Sequence, residues 1–496
     1  MTDRDFELLL EEEITALPPG DELVADITPW RQAVHRILWG MALCGITFRF
    51  LLLDYILPTV GVMMILLGFR TLRRENRWFM AGYIAATVRA ASSVFTLILN
   101  ATLWAGEFYD SAAGEWLTIL GVCITVFHAL CIWGGFRAVR QRVGVEETSN
   151  GFWLVIYYIL LTVLAIAEFE GLIVVAALLV VYILLLRSLW KYAALLDEAG
   201  YAVQASPVRL SDRSLTLLLT AVTAIGIGCG YLFCNQYPMD WTPREVISAE
   251  AAEIKADLRQ RGFPEYVLDD LTEEDILACR GAKTVYVEKD EEAFNKGVQI
   301  TESDGNATYI HTEYPVKELL VTHVAVRPAE GNTWLVFHHF LWQKDPGFRG
   351  TDALKIWPTY QSCDGWAKGS YLSGQVLHDR KGVSYAAPFY DLEEKTYTAA
   401  SFFGAYETTD IIAAFSLPAQ GDNCRGYVCY DMEMVEEGWV INSWCNYFYQ
   451  QMPSYPLQSA QDYALSVGGG SNTFFKNRQT AIQMWPDEEG VYTPVE

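Results

Sequence analysis

Four residues sit where their chemistry is costly. Arg49, Asp54, Arg89 and His128 fall inside otherwise apolar runs, and an ionisable group within a bilayer persists when it is paired or used. Arg89 lies about ten residues into its run, near mid-bilayer. Asp54 interrupts the first apolar stretch, whose two arms are short enough to bring its carboxylate below the outer surface. An Arg89–Asp54 ion pair, with Arg49 nearby and His128 available from a later span, reads as a packing device. The same residues would line a polar path or ligand pocket in a transporter. The packing reading is preferred, because transport paths gather more polar groups and broken helices than this sequence offers.

Cysteine and histidine are the other candidate reactive groups. Cys44, Cys123, Cys131, Cys229 and Cys234 lie in apolar runs and read as small apolar residues. Cys279, Cys363, Cys424, Cys429 and Cys445 lie beyond them, an odd number that leaves one unpaired unless Cys234 joins. One or two disulfides are expected among Cys363, Cys424, Cys429 and Cys445. Zinc is not expected, since Cys424-x4-Cys429 has no second close pair. His338 and His339 are adjacent on an expected strand, so they point to opposite faces and cannot share a ligand. His311, Glu313, His323 and His378 are scattered and read as satisfied strand residues. The sequence has no H-E-x-x-H, G-x-S-x-G or Walker loop. No catalytic residue, metal site or cofactor is expected.

The elements that must position these residues divide the chain sharply. Hydrophobic residues are 52% and charged residues 19% of the 496. Residues 1–36 carry 3 basic and 9 acidic side chains, 37–234 carry 13 and 12, and 235–496 carry 20 and 39, a net of −19 for the last block. Phosphate binding needs a basic surface, so nucleic acid is excluded as a partner. Runs long enough to cross a bilayer occur at Phe79–Trp104, Trp116–Phe136, Phe152–Phe169, Gly171–Trp190 and Leu215–Cys234. Ile37–Phe69 is too long for one straight span and reads as a short helical hairpin, Ile37–Leu53 and Tyr55–Phe69, with Asp54 at its tip. The count is seven helices, or six if that stretch is one bent span. Gly226, Gly228 and Gly230 sit inside a span and read as close helix packing.

Loop charge sets an expected orientation, since Lys and Arg stay cytoplasmic. Arg70, Arg73, Arg74, Arg77, Arg137, Arg140, Arg142, Arg187, Lys191, Arg209 and Arg213 fall in alternate connections, whereas the intervening ones carry Glu107, Asp110, Glu115, Glu168 and Glu170. The N-terminus is then cytoplasmic and residues 235–496 lie outside. Met1–Glu13 is acidic rather than basic-then-apolar, which reads against a cleavable signal peptide. Asp3–Leu17 reads as a short helix in an acidic tail.

Ile27-Thr28-Pro29-Trp30-Arg31, Ile37-Leu38-Trp39-Gly40, Tyr55-Ile56-Leu57-Pro58 and Gly68-Phe69-Arg70 through Glu75-Asn76 resemble a group of uncharacterised multi-pass membrane proteins of Gram-positive anaerobic bacteria. The resemblance covers roughly residues 27–77. It implies a bacterial cytoplasmic membrane and carries no activity.

Beyond the last span, Trp241-Thr242-Pro243-Arg244-Glu245 reads as a helix start and Thr272-Glu273-Glu274-Asp275 as a second. These give a polar helical neck, 235–282. From Thr284 the apolar period changes to two, with thirteen short strands separated by Gly, Asp, Asn and Pro clusters. Residues 283–496 therefore predict an antiparallel, sandwich-like all-β domain. A hairpin is expected in which Tyr430 faces Ser443 and Met432 faces Ile441. Its buried face would hold Val428, Tyr430, Met432 and Met434, with Asp431, Glu433, Asn442 and Asn446 in solvent. A register one residue longer would instead set Cys429 against Cys445. The 18 Tyr and 8 Trp beyond residue 234 suit a cell-wall glycan or a protein partner. The reading is a six- or seven-helix transmembrane bundle that presents an extracytoplasmic β-domain for binding. A transporter and an anchored hydrolase are the alternatives.

Overall fold

The computed structural model describes residues 28–494, leaving out 49, 168, 170, 204–209, 304–307, 329–331, 358–365, 402–403, 435–440, 467–470 and 487–491. Arg49, Cys363 and the Asp3–Leu17 segment lie outside the described residues. Two compact units emerge: Met1–Asn100 with Trp104–Cys229, and Ala101–Leu103 with Gly230–Glu496.

The first unit is helical. Thr28 accepts a hydrogen bond from the Arg31 amide and Pro29 opens α1, Pro29–Gly45. Then follow α2 (Leu53–Leu72), α3 (Arg77–Leu99), α4 (Ala105–Asp110), α5 (Ala112–Val143), α6 (Gly151–Ile166), α7 (Leu172–Glu198) and α8 (Asp212–Phe233). Among the described residues, α2, α3, α5, α7 and α8 are long and apolar enough to cross a membrane, and α6 is apolar but shorter. The first apolar stretch is indeed two helices in hairpin contact, but the first ends at Gly45, the second begins at Leu53, and α1 starts eight residues before Ile37. Asp54 is therefore no tip. It occupies the first turn of α2, where the helix dipole favours a carboxylate.

The arms of this hairpin touch backbone to backbone. A Cβ on Gly40 would stand 2.5 Å from the Gly61 carbonyl oxygen, and one on Gly61 would stand 2.6 Å from that of Gly40, the small-residue packing that bilayer helices use. Gly226 of α8 makes room for the Ile98 side chain, whereas Gly228 meets nothing within 4 Å. One end of the unit is laced by ions: Arg36 and Arg70 pair with Asp212, Arg31 with Asp197, and Arg142 with Glu75.

The second unit is a β-sandwich covered by helices. Its elements are β1 (Thr242–Pro243), α9 (Ala249–Gln260), α10 (Glu265–Leu268), α11 (Glu273–Ala278), β2 (Ala282–Glu292), β3 (Val298–Ser303), β4 (Thr308–Glu313), β5 (Leu319–Pro328), β6 (Thr333–Trp342), β7 (Asp352–Trp357), β8 (Trp366–Arg380), β9 (Val383–Ala387), β10 (Asp391–Ser401), β11 (Gly404–Phe415), β12 (Asp422–Met434), β13 (Ile441–Gln450), α12 (Ala460–Ser466), β14 (Phe475–Pro486) and β15 (Tyr492–Pro494). One sheet runs β1-β9-β8-β12-β6-β5-β2, the other β10-β11-β7-β13-β14-β15, and β3-β4 stands apart. All pairings are antiparallel.

Alternation then sorts the side chains. Val321, Trp334, Val336, Phe340, Val428, Tyr430 and Met432 meet Leu354, Ile411, Phe415 and Tyr447 between the sheets. The opposite face of the first sheet (Val324, Phe337, Tyr427, Cys429) is covered by Leu258, Phe263, Leu268 and Ile276.

Three expectations are corrected. Thr242–Pro243 is a strand paired with Ala386 and Tyr385, and the helix begins only at Ala249, capped by Ser248. The helices form no neck, because their apolar faces close onto the sheet. β12 and β13 do not pair: β12 lies between β8 and β6, and β13 between β7 and β14. Val428, Tyr430 and Met432 are buried as expected, but by burial against the other sheet rather than across a hairpin. Asn446, expected in solvent, is 1% exposed.

Candidate functional site

In the helical unit, the polar residues do not form the expected pair. Arg89 Nη1 donates to Thr125 Oγ at 3.3 Å, and Asp54 sits away at the start of α2. His128 is buried, stacked on Phe69 with ring centroids 5.4 Å apart. Neither of its ring nitrogens has a hydrogen-bond partner. Tyr158 and Tyr182 hydroxyls stand 3.0 Å apart, and Tyr182 donates to the Met41 carbonyl at 2.7 Å.

The thiols of Cys424, Cys429 and Cys445 are free and buried. Cys424 and Cys445 lie in the inter-sheet core and Cys429 in the helical layer. Alternation keeps Cys429 from the other two, and Cys424 and Cys445 are free within the same core, so the disulfides expected among these three do not form.

Sequence reasoning missed a polar chain that crosses the sandwich. His323 on β5 pairs with His338 on β6, and their Nδ1 atoms are 2.5 Å apart. His338 Nε2 lies 2.8 Å from Ser443 Oγ on the facing sheet, and Ser443 also bonds the Tyr430 hydroxyl. Asp290 stands 3.7 Å from His323 Nε2. The order carboxylate, imidazole, imidazole, hydroxyl has the parts of a proton relay. It has no access: His323, His338 and Ser443 are fully buried, and the space beside His338 leaves ≈ 0 Å³ for water. Hydrolysis cannot occur at a serine that no substrate reaches. The chain fixes the two sheets in register instead, as fully enclosed polar contacts do. The turn signal at Glu330-Gly331-Asn332 could have revealed it, because a short hairpin read from those residue types would set His323 opposite His338.

The helical layer is pinned in the same manner. Asp270 accepts from His339 Nε2 at 2.9 Å and Arg425 Nε at 2.7 Å. Burial alone would raise its pKa, but His339 and Arg425 hold the carboxyl below the usual carboxylate range. His338 and His339 thus do serve opposite faces.

The exposed candidate is the β3–β4 hairpin. Its root is clamped. Glu318, buried, accepts from the Phe294 amide at 2.7 Å and the Asn295 side chain at 2.5 Å, while Lys476 Nζ donates to the Phe294 and Asn295 carbonyls at 2.6 Å. Asn295 Oδ1 then accepts from the Gly297 amide at 2.6 Å, and Gly297 takes φ +67, a left-handed turn that suits glycine. From there β3 and β4 pair only with each other, Val298 against Glu313 through Ser303 against Thr308. Both outer edges lack a strand partner among the described residues. Val298 is 54%, Tyr309 58% and Ile310 67% exposed, with Tyr314 and Val316 also in solvent.

Neither a protein-family model nor a curated protein matches the chain. A solved structure described as "pH-induced modulation of Streptococcus parasanguinis adhesion by Fap1 fimbriae" aligns with a TM-score of 0.17 and 11% identity, over 34% of this chain and 78% of that one. A likeness that low carries neither fold nor function.

What the hairpin can do follows from its chemistry. An isolated two-stranded ribbon is marginal in water, and open strand edges invite a further strand. Tyr309 and Glu302 share one face and Ile310 and Thr301 the other, so an added strand would find apolar contacts on both sides.

Proposed function

We propose that this chain is an integral protein of a bacterial cytoplasmic membrane whose β-domain lies outside and binds a protein partner through the β3–β4 hairpin. The observation that carries the reading is that hairpin: a clamped root, two open edges and exposed Val298, Tyr309 and Ile310. Its mode would be strand addition, main-chain hydrogen bonds giving affinity and alternate side chains giving choice. The net charge of −19 beyond residue 234 favours a neutral or basic partner over a second copy of this chain. Placement outside rests on the alternation of basic and acidic connections.

Two experiments test it. Alkaline phosphatase fused after Glu496 should be active and a cytosolic fluorescent reporter dark; the reverse sinks the placement. A photo-crosslinking residue at Ile310 should capture one discrete adduct in cells, while the same probe at Val383, exposed on β9, captures none. Identical patterns from both positions would remove the hairpin from consideration.

A further inference from the structure

Arg89 is the thirteenth of the 23 residues of α3. At 1.5 Å per residue it stands about 18 Å from one end of the helix and about 15 Å from the other. With hydrocarbon about 30 Å thick, that is near mid-depth, too far for the side chain to snorkel to either interface. Its charge must be met inside the unit. Among the described residues no carboxylate lies within the 4.0 Å of an ion pair, and Thr125 Oγ accepts a single hydrogen bond from it. A guanidinium has five N–H donors, so most are left over.

The surroundings are polar yet uncharged. Arg89 acts electrostatically on Cys44, His128 and Tyr158, side chains from α1, α5 and α6. Tyr182 donates to the Met41 carbonyl, so Tyr158 donates to Tyr182 and keeps its own lone pairs. Thr125 donates to the Gly121 carbonyl at 2.9 Å. None of these neighbours supplies a negative charge. His128, three residues from Thr125 on the same helix face, is 1% exposed with both ring nitrogens unpartnered; the Gly82 carbonyl beside it stays outside hydrogen-bonding geometry. An unmatched cation and an unsatisfied imidazole in one interior are two costs that one ligand would relieve.

We infer that Arg89 is an anion-binding site: its half-buried guanidinium takes a carboxylate or phosphate group bidentately, with Thr125 and His128 as flanking polar groups. The fork geometry matches both groups. Mid-depth placement favours a small solute, and an anionic lipid headgroup offers the same chemistry. The site is independent of the hairpin, so failure of one reading leaves the other standing.

The test uses the full chain in nanodiscs. In phosphatidylcholine, inorganic phosphate or acetate should raise the thermal midpoint by about 2–4 °C over chloride at equal ionic strength. Arg89→Gln should abolish the rise. Arg89→Lys, which keeps the charge and loses the fork, should at least halve it and decides the matter if Arg89→Gln does not assemble. If only phosphatidylglycerol nanodiscs give an Arg89-dependent rise, the anion is a lipid headgroup. No rise with any anion, or an equal rise in both variants, overturns the site.

Discussion

His323 Nδ1 stands 2.5 Å from His338 Nδ1 across adjacent strands, and both rings are fully enclosed. One nitrogen donates and the other accepts, so the pair is bonded when both rings are neutral. Burial pushes the His323 pKa down to about 3, and burial together with the neighbouring ring pushes His338 well below the ordinary value. Asp290 is the nearest carboxylate, 3.7 Å from His323 and half-buried. The unfolded chain takes up two protons near pH 6.5 that the folded chain refuses. Stability from the pair is complete above that value and falls as pH drops toward 3, by about 2.7 kcal/mol per pH unit. Urea midpoints followed by tryptophan fluorescence should show this, and His323→Asn should take about 1.4 kcal/mol per pH unit off the slope. An unchanged slope in that variant would show that the pair does not titrate as described.

Asp352 opposes this trend. It is enclosed under Tyr447, whose hydroxyl donates to it at 2.9 Å, and burial pushes its pKa up to about 7. The folded state keeps a proton that the unfolded state releases above about pH 4. Its contribution is complete below that and is lost as pH rises through 7. From about pH 4 to 6.5 it cancels one of the two histidine protons, leaving about 1.4 kcal/mol per pH unit from the three groups. Asp352→Asn should therefore steepen the acid dependence to about 2.7 kcal/mol per unit, measured by the same urea series. An unchanged slope would mean that Asp352 is ionised in the fold across this range.

The strands were legible as short apolar and aromatic runs between Gly, Asp, Asn and Pro clusters, although β2 and β12 carry register shifts. β6, Thr333–Trp342, reads as a nearly continuous run because both of its faces are covered, with residues 336–340 all buried. What alternation cannot report is which strand lies beside which. Met432 had to be buried, but whether against Ile441 or against Leu354 of the other sheet depends on topology. Thr242–Pro243 carried a sound helix-start pattern, yet pairing with β9 overrode it and Ser248 became the cap. The polar residues of the apolar helices were legible by type, since Arg89 and His128 stand out there. Their partners were not, because depth along antiparallel helices decides contact: Thr125 reaches Arg89 and Asp54 does not.

Asp275 anchors the helical layer. It accepts from Thr272 Oγ at 2.6 Å and Tyr371 Oη at 2.8 Å, and from the hydroxyls of Ser373 and Tyr427. Asp275→Ala would orphan hydroxyls of buried Tyr427 and half-buried Tyr371 and Ser373. At about 1–3 kcal/mol per unsatisfied buried group, a loss of about 3 kcal/mol or more is expected. Limited proteolysis should then cut first between residues 249 and 281. A variant as resistant as the wild type would assign the layer's attachment to its apolar contacts alone.

Thiol chemistry distinguishes the layered fold from a cross-linked one. Burial pushes the Cys424 thiol up to about 11 and holds those of Cys279, Cys429 and Cys445 higher than ordinary. The thiolate is the reactive form, so N-ethylmaleimide at pH 7.5 should leave all four unmodified in the folded chain. In urea all four should react, with or without a reductant present. Mass spectrometry of the peptides reads both states. Modification of Cys424, Cys429 or Cys445 that appears in urea only after reduction would reveal a disulfide, and with it a strand arrangement that brings two of those sulfurs into bonding distance.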